Sequence, residues 1–593
     1  MDEKKIKAEH YLYWLAFLLA LTLRLFQLGA APLTNMEAGW ALQALSVARG
    51  SGAGIGAQPA YILLTSQLFS ILGDSNFLAR LFPALAGSLL VWLPFLFQRW
   101  MGDSRWLHRA GVVMAFGMAI DPALVSLSRQ AGSLMPALVF ILLALACLYN
   151  RHLVWLGIFA GLTLLSGLAF LQGLLIIAIC WGLSRLAGRK LDKSQFMEGY
   201  PDPASASVPA PSVRVTAVAF FLTLLFAGSL FLRAPQGLGA LVNTIPDYLN
   251  TWVTSSGIPV LRLPASLLVY QPLVLVFGII GAVRAWFGVW ESQQTRQVMA
   301  GFSIWALVGL VIPLLYAGRQ VGDMAWALIP LWVLAAVEIS RYILEDEDTR
   351  TRVLAACLGL FLFVLAVVGW INLLSIGRYQ VNMWIYWLVI FGAFLLGVIA
   401  VLLVATTWST FTARAGAVWA LCIVLGLQLI SNTWGMSIVH HNGAQELWSS
   451  LPATGQADLL QATLTDLSSR TTGLKEQMEI VALVDPPDRQ WDALKWELRY
   501  FPNVRFETAL SSRESPPVVI TLKEAEVPSL AEKYRGQDFV WQLYPGWLGV
   551  FPPNFINWLA FRQAPLEQSQ IILWARADIF PGDTSDTPGS AAP

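Results

Sequence analysis

Charge is what this 593-residue chain has least of: Asp, Glu, Lys and Arg together make up 13% of it, against 56% hydrophobic residues. That ratio excludes an ordinary soluble globule, which carries about 25% charged residues. The 37 acids and 38 bases leave a net charge of +1, and no basic stripe stands out, so no nucleic-acid partner is expected. Cysteine is equally sparse. Cys147, Cys180, Cys357 and Cys422 each sit inside an apolar run, far from one another. That placement excludes a disulfide framework or a thiolate metal site and suits small packing residues. No internal repeat and no matched pair of Gly/Pro-broken helices is visible, which argues against a solute transporter. Nor is there a cleavable leader pattern: the apolar segment from Tyr11 is too long and reads as a first span.

What the chain does have is a series of apolar runs, each long enough to cross a hydrocarbon core of about 30 Å as a helix. After the span opening at Tyr11, further spans are expected at 77–97, 110–127, 134–149, 153–170, 171–186, 215–232, 265–285, 302–316, 325–341, 353–373, 384–406 and 415–433. The fold class expected is therefore an all-α polytopic membrane protein of about thirteen transmembrane helices. The 26 Trp and 14 Tyr suit anchoring at the two interfaces. Lys4, Lys5 and Lys7 hold the N-terminus in the cytoplasm, and Lys and Arg are about twice as frequent in the loops this places inside. The localisation expected is the plasma membrane, multi-pass.

From about His440 charges rise, and short β-rich runs (MEIVALV, PPVVITL, FVWQLYPGWLGVF, IILWARADIF) alternate with helical patterns (ADLLQATLTDLSS, DRQWDALKWELRYF). The alternation predicts a C-terminal α/β domain, placed outside the cytoplasm by the span count. The division expected is a transmembrane domain 1–436 with a first outer loop 29–76, an extracytoplasmic domain 437–580 and a disordered tail 581–593. The Pro/Ala/Ser-rich PDPASASVPAPS reads as a disordered linker, and 36–49 and 59–72 as amphipathic segments flat on the outer face.

Glu37 organises the functional reading. It follows the first span and the Gly/Ala/Pro break of 29–32, at the start of a new helix. Two readings stand: a functional acid facing water or a polar partner, since carboxylates near hydrocarbon are costly, or a first-turn acid favoured by the helix dipole. Arg24, Arg80, Asp121, Arg129, Asp247, Arg262, Arg319, Gln320 and Asp323 also fall at outer ends of spans. An acid among arginines there is equipment for holding an anionic lipid head group and activating a hydroxyl beside it. Arg24 and Arg80 also read as interfacial anchors, and Asp121, before Pro122, as a cap. His440 and His441, with no partner carboxylate, read as solvated linker, and Trp491, Leu494, Leu498 and Phe501 as a core-facing stripe.

The order of apolar span, R-L-x-x-L, small/Pro break, acidic motif, amphipathic helix and FLARLFPALAGSLLV (77–91) resembles the GT-C membrane glycosyltransferases of the protein O-mannosyltransferase and aminoarabinose-transferase type. The resemblance continues through LSRQA (127–131) and GRQVGDMAWALIPLW (318–332). It implies a sugar moved from a polyprenyl-phosphate carrier to an acceptor hydroxyl on a protein, lipid or glycan, in contact with the bilayer. On it, Glu37 is the general base and Arg129 and Arg319 hold the departing lipid phosphate; outside the matched motifs, Asp121 is the candidate to replace a missing acid in space, and Arg80, Arg262 and Gln320, among the polar residues at the outer span ends, are expected to bind the lipid-linked substrate with them. Two departures stand out: the Asp-Glu of the family's first loop reads Met36-Glu37, and the acid after the S-R-x-A arginine is missing. The alternative is a non-catalytic relative that binds lipid-linked glycans or assists their translocation. No cofactor is expected; a divalent cation is chemically admissible, but one acid without a nearby His or Cys does not support it by ligand count.

Overall fold

A computed structural model describes residues 3–580 except 52–53, 98–104, 191–209, 289, 291–292, 344–347, 380–382, 441–442, 449–451, 485–488, 512 and 526–529. The tail 581–593, most of the Pro/Ala/Ser-rich segment and His441 lie outside the described residues.

The chain is a helical bundle followed by a sheet. Every apolar segment expected to cross the bilayer is helical, but lengths vary. Among the described residues seven helices are long and apolar enough to cross a membrane, or up to nine if each of two bent pairs is one span. Leu134–Tyr149, Leu153–Leu165 and Val213–Gly228 are shorter apolar helices. The boundary expected at 170/171 falls earlier, at Ser166 and Gly167, where Gly167 takes a φ of +72° that favours glycine.

Both bends sit at X-Pro steps. Trp106–Ile120 meets Pro122–Ser128 at 54°, and Arg262–Tyr270 meets Pro272–Phe287 at 101°. Proline at the start of each second half lacks an N–H that the helix would not have bonded there. The two breaks face each other. Asp121 Oδ1 caps the second half by accepting from Leu124 N–H (2.9 Å) and also accepts from Gln271 Nε2 (2.9 Å), while its Oδ2 accepts from Trp332 Nε1 (2.8 Å). Asp121, Gln271 and Trp332 are buried in the main core. Trp332 packs against Gly117, where a Cβ would come within 2.1 Å of the ring.

The helix α1 (Glu3–Leu25) leads through the 29–32 break into α2 (Asn35–Arg49), α3 (Pro59–Leu72) and α4 (Asn76–Ser88). Thr34 and Glu37 form a reciprocal capping box at the start of α2, and Gly50, at φ +72°, ends it. Arg24 is no interfacial anchor. Fully buried, it donates to Ser128 Oγ (3.2 Å) and to the carbonyls of Ala119 (3.1 Å) and Met118 (3.2 Å), tying α1 to the bent pair.

The six-stranded sheet comprises β1 (Ala453–Thr454), β2 (Ile480–Leu483), β3 (Val504–Glu507), β4 (Val518–Leu522), β5 (Tyr534–Pro545) and β6 (Leu566–Arg576), in the order β1-β5-β6-β4-β2-β3. β2 pairs in parallel with β3 and β4, and the remaining pairings are antiparallel. IVAL is continuously apolar, and VVITL apolar but for Thr521, because central strands are covered on both faces.

The sheet's core runs on into the segment 29–76. Trp491, Leu494, Leu498 and Phe501 are buried in one cluster with Ala38, Ala41, Ala44 and Leu45 of α2. Ala493 N–H donates to Asn35 Oδ1 (3.0 Å), Trp496 Nε1 to Asn76 Oδ1 (2.7 Å) and Arg499 Nε to Asp74 Oδ2 (2.7 Å). At the other end Thr454 Oγ1 of β1 donates to the Leu33 carbonyl (2.7 Å). The segment 29–76 is thus held between the bundle and the sheet.

Candidate functional site

The clamp leaves a cavity of about 110 Å³, lined by Thr34, Glu37, Arg80, Arg129, Ser437 and Glu446 among others, with Ala453 and Thr454 of β1 on one wall. A single water needs only ~15 Å³.

Glu37 is 5% exposed. Its Oε1 accepts from Arg80 Nε (2.9 Å) and Ala131 N–H (2.9 Å). Its Oε2 accepts from Arg80 Nη2 (2.8 Å), Thr34 N–H (3.0 Å) and Thr34 Oγ1 (3.2 Å). Five donors on two oxygens exceed the roughly four lone-pair sites of a carboxylate. Burial alone would raise the Glu37 carboxyl, but the Arg80 charge and these hydrogen bonds outweigh it and hold it below the ordinary carboxylate range. The acid reaches the cavity wall, but as the partner of a bidentate arginine.

Arg80 is equally engaged. Besides Glu37 it donates to the carbonyls of Leu28 (3.3 Å), Ala31 (2.7 Å) and Pro32 (3.0 Å), which uses all five N–H groups of a guanidinium. Arg129 turns its terminal nitrogens onto the end of α1, donating to Leu23 (3.0 Å), Arg24 (3.2 Å), Phe26 (2.7 Å) and Gln27 (3.2 Å) carbonyls. A cation over helix C-terminal carbonyls opposes the dipole there.

The other expected residues lie elsewhere. Asp121 does not line the cavity; its role is at the bundle's double break, a correction to its expected catalytic place. Arg319 Nη1 donates to the Ile258 carbonyl (3.2 Å), and the Gln320 backbone N–H to Asp323 Oδ2 (2.8 Å), so both hold the turn at 318–324. Arg262 stands behind the cavity, donating to the Leu447 (3.2 Å) and Glu446 (3.4 Å) carbonyls.

One residue was missed. Glu446, 2% exposed, is a second carboxylate in the wall. Its Oε2 accepts from the Tyr270 hydroxyl and lies 3.8 Å from Arg562 Nε, and its Oε1 lies 3.0 Å from His440 Nδ1. Burial would raise the Glu446 carboxyl, but His440, Arg562 and Tyr270 together lower it. His440 is therefore no solvated linker. Nothing local in HNGAQELW marks this acid, because its partners come from distant helices. Among the described residues no group of three or more His, Cys, Asp or Glu is placed to hold a metal ion.

Residues 49–195 match the family model described as dolichyl-phosphate-mannose-protein mannosyltransferase, about a quarter of the chain. The whole structure is similar to the crystal structure of ArnT from Cupriavidus metallidurans bound to undecaprenyl phosphate. The TM-score is 0.51 at 13% identity, over 98% of this chain and 99% of that one. The fold is GT-C. The apo state of the same ArnT matches with a TM-score of 0.48 at 14% identity, over 94% and 97% of the two chains. No curated protein matches at a significant level. With the apolar helices, the GT-C fold makes this a multi-pass membrane protein.

Proposed function

We propose that this GT-C protein moves a sugar from a polyprenyl-phosphate carrier to an acceptor hydroxyl on a protein, lipid or glycan. The reaction takes place outside the plasma membrane, with the N-terminus cytoplasmic and the sheet domain extracytoplasmic. One observation carries this reading: Glu37, Arg80, Arg129 and Glu446 converge on a single cavity between the first outer loop and the sheet domain. The fold is that of an ArnT crystallised with undecaprenyl phosphate.

Transfer needs a base on the acceptor hydroxyl and positive charge near the departing phosphate, each typically worth about 10² to 10⁴ in rate. Two carboxylates and two guanidinium groups meet at the cavity. Glu37 serves as base only when one of its five donors withdraws, and Glu446 is the other carboxylate in the wall.

A second reading is favoured by a specific observation. Glu37 is closed off by Arg80, and Met36, which is 40% exposed, stands where the resemblance implies an acid. On that reading the chain binds the lipid-linked glycan, or assists its translocation, without transfer. Release of undecaprenyl phosphate from sugar-labelled mannose, glucose and aminoarabinose conjugates, with a membrane extract supplying acceptor, separates the two. Turnover by wild type, reduced at least a hundredfold in Glu446→Gln or Glu37→Gln, supports transfer. Lipid binding with no turnover of any conjugate moves the assignment to the second reading.

A further inference from the structure

The sheet domain carries one run that does not suit a surface bathed in water. Residues 539–561, from the second half of β5 through the helix Phe555–Phe561, contain no Asp, Glu, Lys or Arg, and 546–551 reads GWLGVF. Near its tip Leu548 is 98% exposed, more than any other large hydrophobic among the described residues, and Phe551 is 38% exposed. A lone exposed leucine is ordinary on a protein surface. This one is held at a height that the bundle sets. Gly546 N–H donates to the Pro565 carbonyl (2.9 Å) and closes the base of the connection between β5 and β6. Phe551 meets Phe555 edge-on (4.6 Å between ring centroids), and Phe555 meets Trp558 (5.8 Å), which is buried in the main core of the bundle.

The helix Phe555–Phe561 is seated on the ends of two long apolar helices. Phe561 and Asn557 pack on Gly377, where a Cβ would lie 3.4 and 3.5 Å from them, and Arg562 Nη2 donates to Asn432 Oδ1 (2.9 Å). Gly377 and Asn432 lie in the last turns of Thr349–Tyr379 and Thr410–Trp434, both long and apolar enough to cross a membrane. Trp384 and Trp434, both exposed, stand at the same ends. Tryptophan at the ends of spans marks the head-group level, so the connection that carries Leu548 starts at that level rather than above it. We infer that the β5–β6 connection, with Leu548 and Phe551 leading, dips into the leaflet on the sheet's side and anchors the sheet domain to the bilayer. The partner is the apolar boundary of the leaflet and not its charge, because 539–561 offers no cation to an anionic head group. This anchor lies outside the cavity and holds whether or not the chain transfers sugar.

A spin label on Leu548→Cys tests this in the full chain, reconstituted in nanodiscs of phosphatidylcholine with and without phosphatidylglycerol. The parent is Cys357→Ala, which removes the exposed native thiol, and its own signal is subtracted. Because the Leu548 side chain is almost wholly exposed, the substitution removes no packing and the variant folds as the parent does. Leu474→Cys, in the turn after the helix Ala457–Thr472 and 60% exposed, supplies the water-facing reference. The expected result is a label at 548 reached by dissolved oxygen and shielded from a water-soluble nickel chelate, at a depth of about 5–10 Å. That depth should be the same with and without phosphatidylglycerol. It should also survive a rise in salt that shortens the screening length from about 10 to about 3 Å. Chelate access equal to that at 474 puts the tip in water and overturns the anchor. Shielding from both reagents overturns it too, since protein, such as a second copy of the chain, would then cover the tip. A depth that falls with salt, or that needs phosphatidylglycerol, overturns the apolar basis of the contact.

Discussion

Replacing Glu37 by Gln removes the charge and keeps the shape, and it tests whether this acid holds the structure together or does chemistry. Wild-type Glu37 accepts five hydrogen bonds, two of them from Arg80 in parallel. Gln offers one acceptor oxygen and turns an NH₂ toward donors. Breaking a buried ion pair from one side costs about 3–5 kcal/mol, because the remaining charge stays desolvated. Arg80 retains its bonds to the carbonyls of Leu28, Ala31 and Pro32. That partial compensation puts Glu37→Gln near the lower end, about 3 kcal/mol. Arg80→Gln should cost a similar amount, and the double variant less than the sum, with a coupling of about 2 kcal/mol. Denaturant unfolding in mild detergent, followed by tryptophan fluorescence, reads all four proteins. The sign with pH follows from the depressed carboxyl. Its stabilisation is complete above the unfolded value of about 4.3 and is lost as pH falls through the lower folded value, so nothing changes between pH 7 and 5. A Glu37→Gln protein that unfolds at the wild-type midpoint, yet no longer releases undecaprenyl phosphate, would refute the structural assignment.

Two further outcomes follow from buried acids outside the cavity. Asp121→Ala strips an acceptor from Leu124 N–H, Gln271 and Trp332, and should cost about 4 kcal/mol through the lost cap and the stranded donors, with Asp121→Asn milder. Lipid binding per folded molecule should be unchanged in both, and a selective loss of binding would restore Asp121 to the site. Glu497, 5% exposed on the helix that packs against α2, is pushed up to about 7 by burial, opposed by Arg499 and reinforced by Asp458. Because the folded state holds this proton more tightly, Glu497 lowers stability progressively as pH rises from about 4.3 to that value, by about 4 kcal/mol in all. Glu497→Gln should therefore melt with wild type near pH 4.5 and above it at pH 8, and a pH-independent difference would count against the assignment.

The bundle was legible because the bilayer imposes a length and composition on each span that a single sequence displays. The central strands IVAL and VVITL, apolar but for Thr521, were equally plain. β3 was not anticipated: VRFE, half-buried at the sheet edge, is too short and polar to stand out. The site was legible only in part. Glu37 was singled out from its place after the first apolar helix, but its partner Arg80 lies 43 residues on, and no local pattern says that two such residues will close on each other. Asp121 was misread because an acid before proline at a helix break has the same sequence whether it caps a helix or faces a substrate. Arg319 and Gln320 sit in a run shared with the resembled family, yet here they hold a turn. Glu446 comes from a stretch without periodicity, where only tertiary packing makes a wall. Glu446 gains its environment from Tyr270, Arg562 and His440, contributed by separate elements.

The central claim is that the hollow between the segment 29–76 and β1 receives a lipid-linked sugar. Ala31 lines it, is half-buried, and contributes to Arg80 only through its carbonyl, so Ala31→Phe fills the space while leaving the ion pair in place. The most direct measurement is the affinity of Ala31→Phe and wild type, in nanodiscs, for whichever sugar conjugate of undecaprenyl phosphate wild type binds best. The account predicts at least a tenfold loss at an unchanged unfolding midpoint. Wild-type affinity in the filled variant would contradict it.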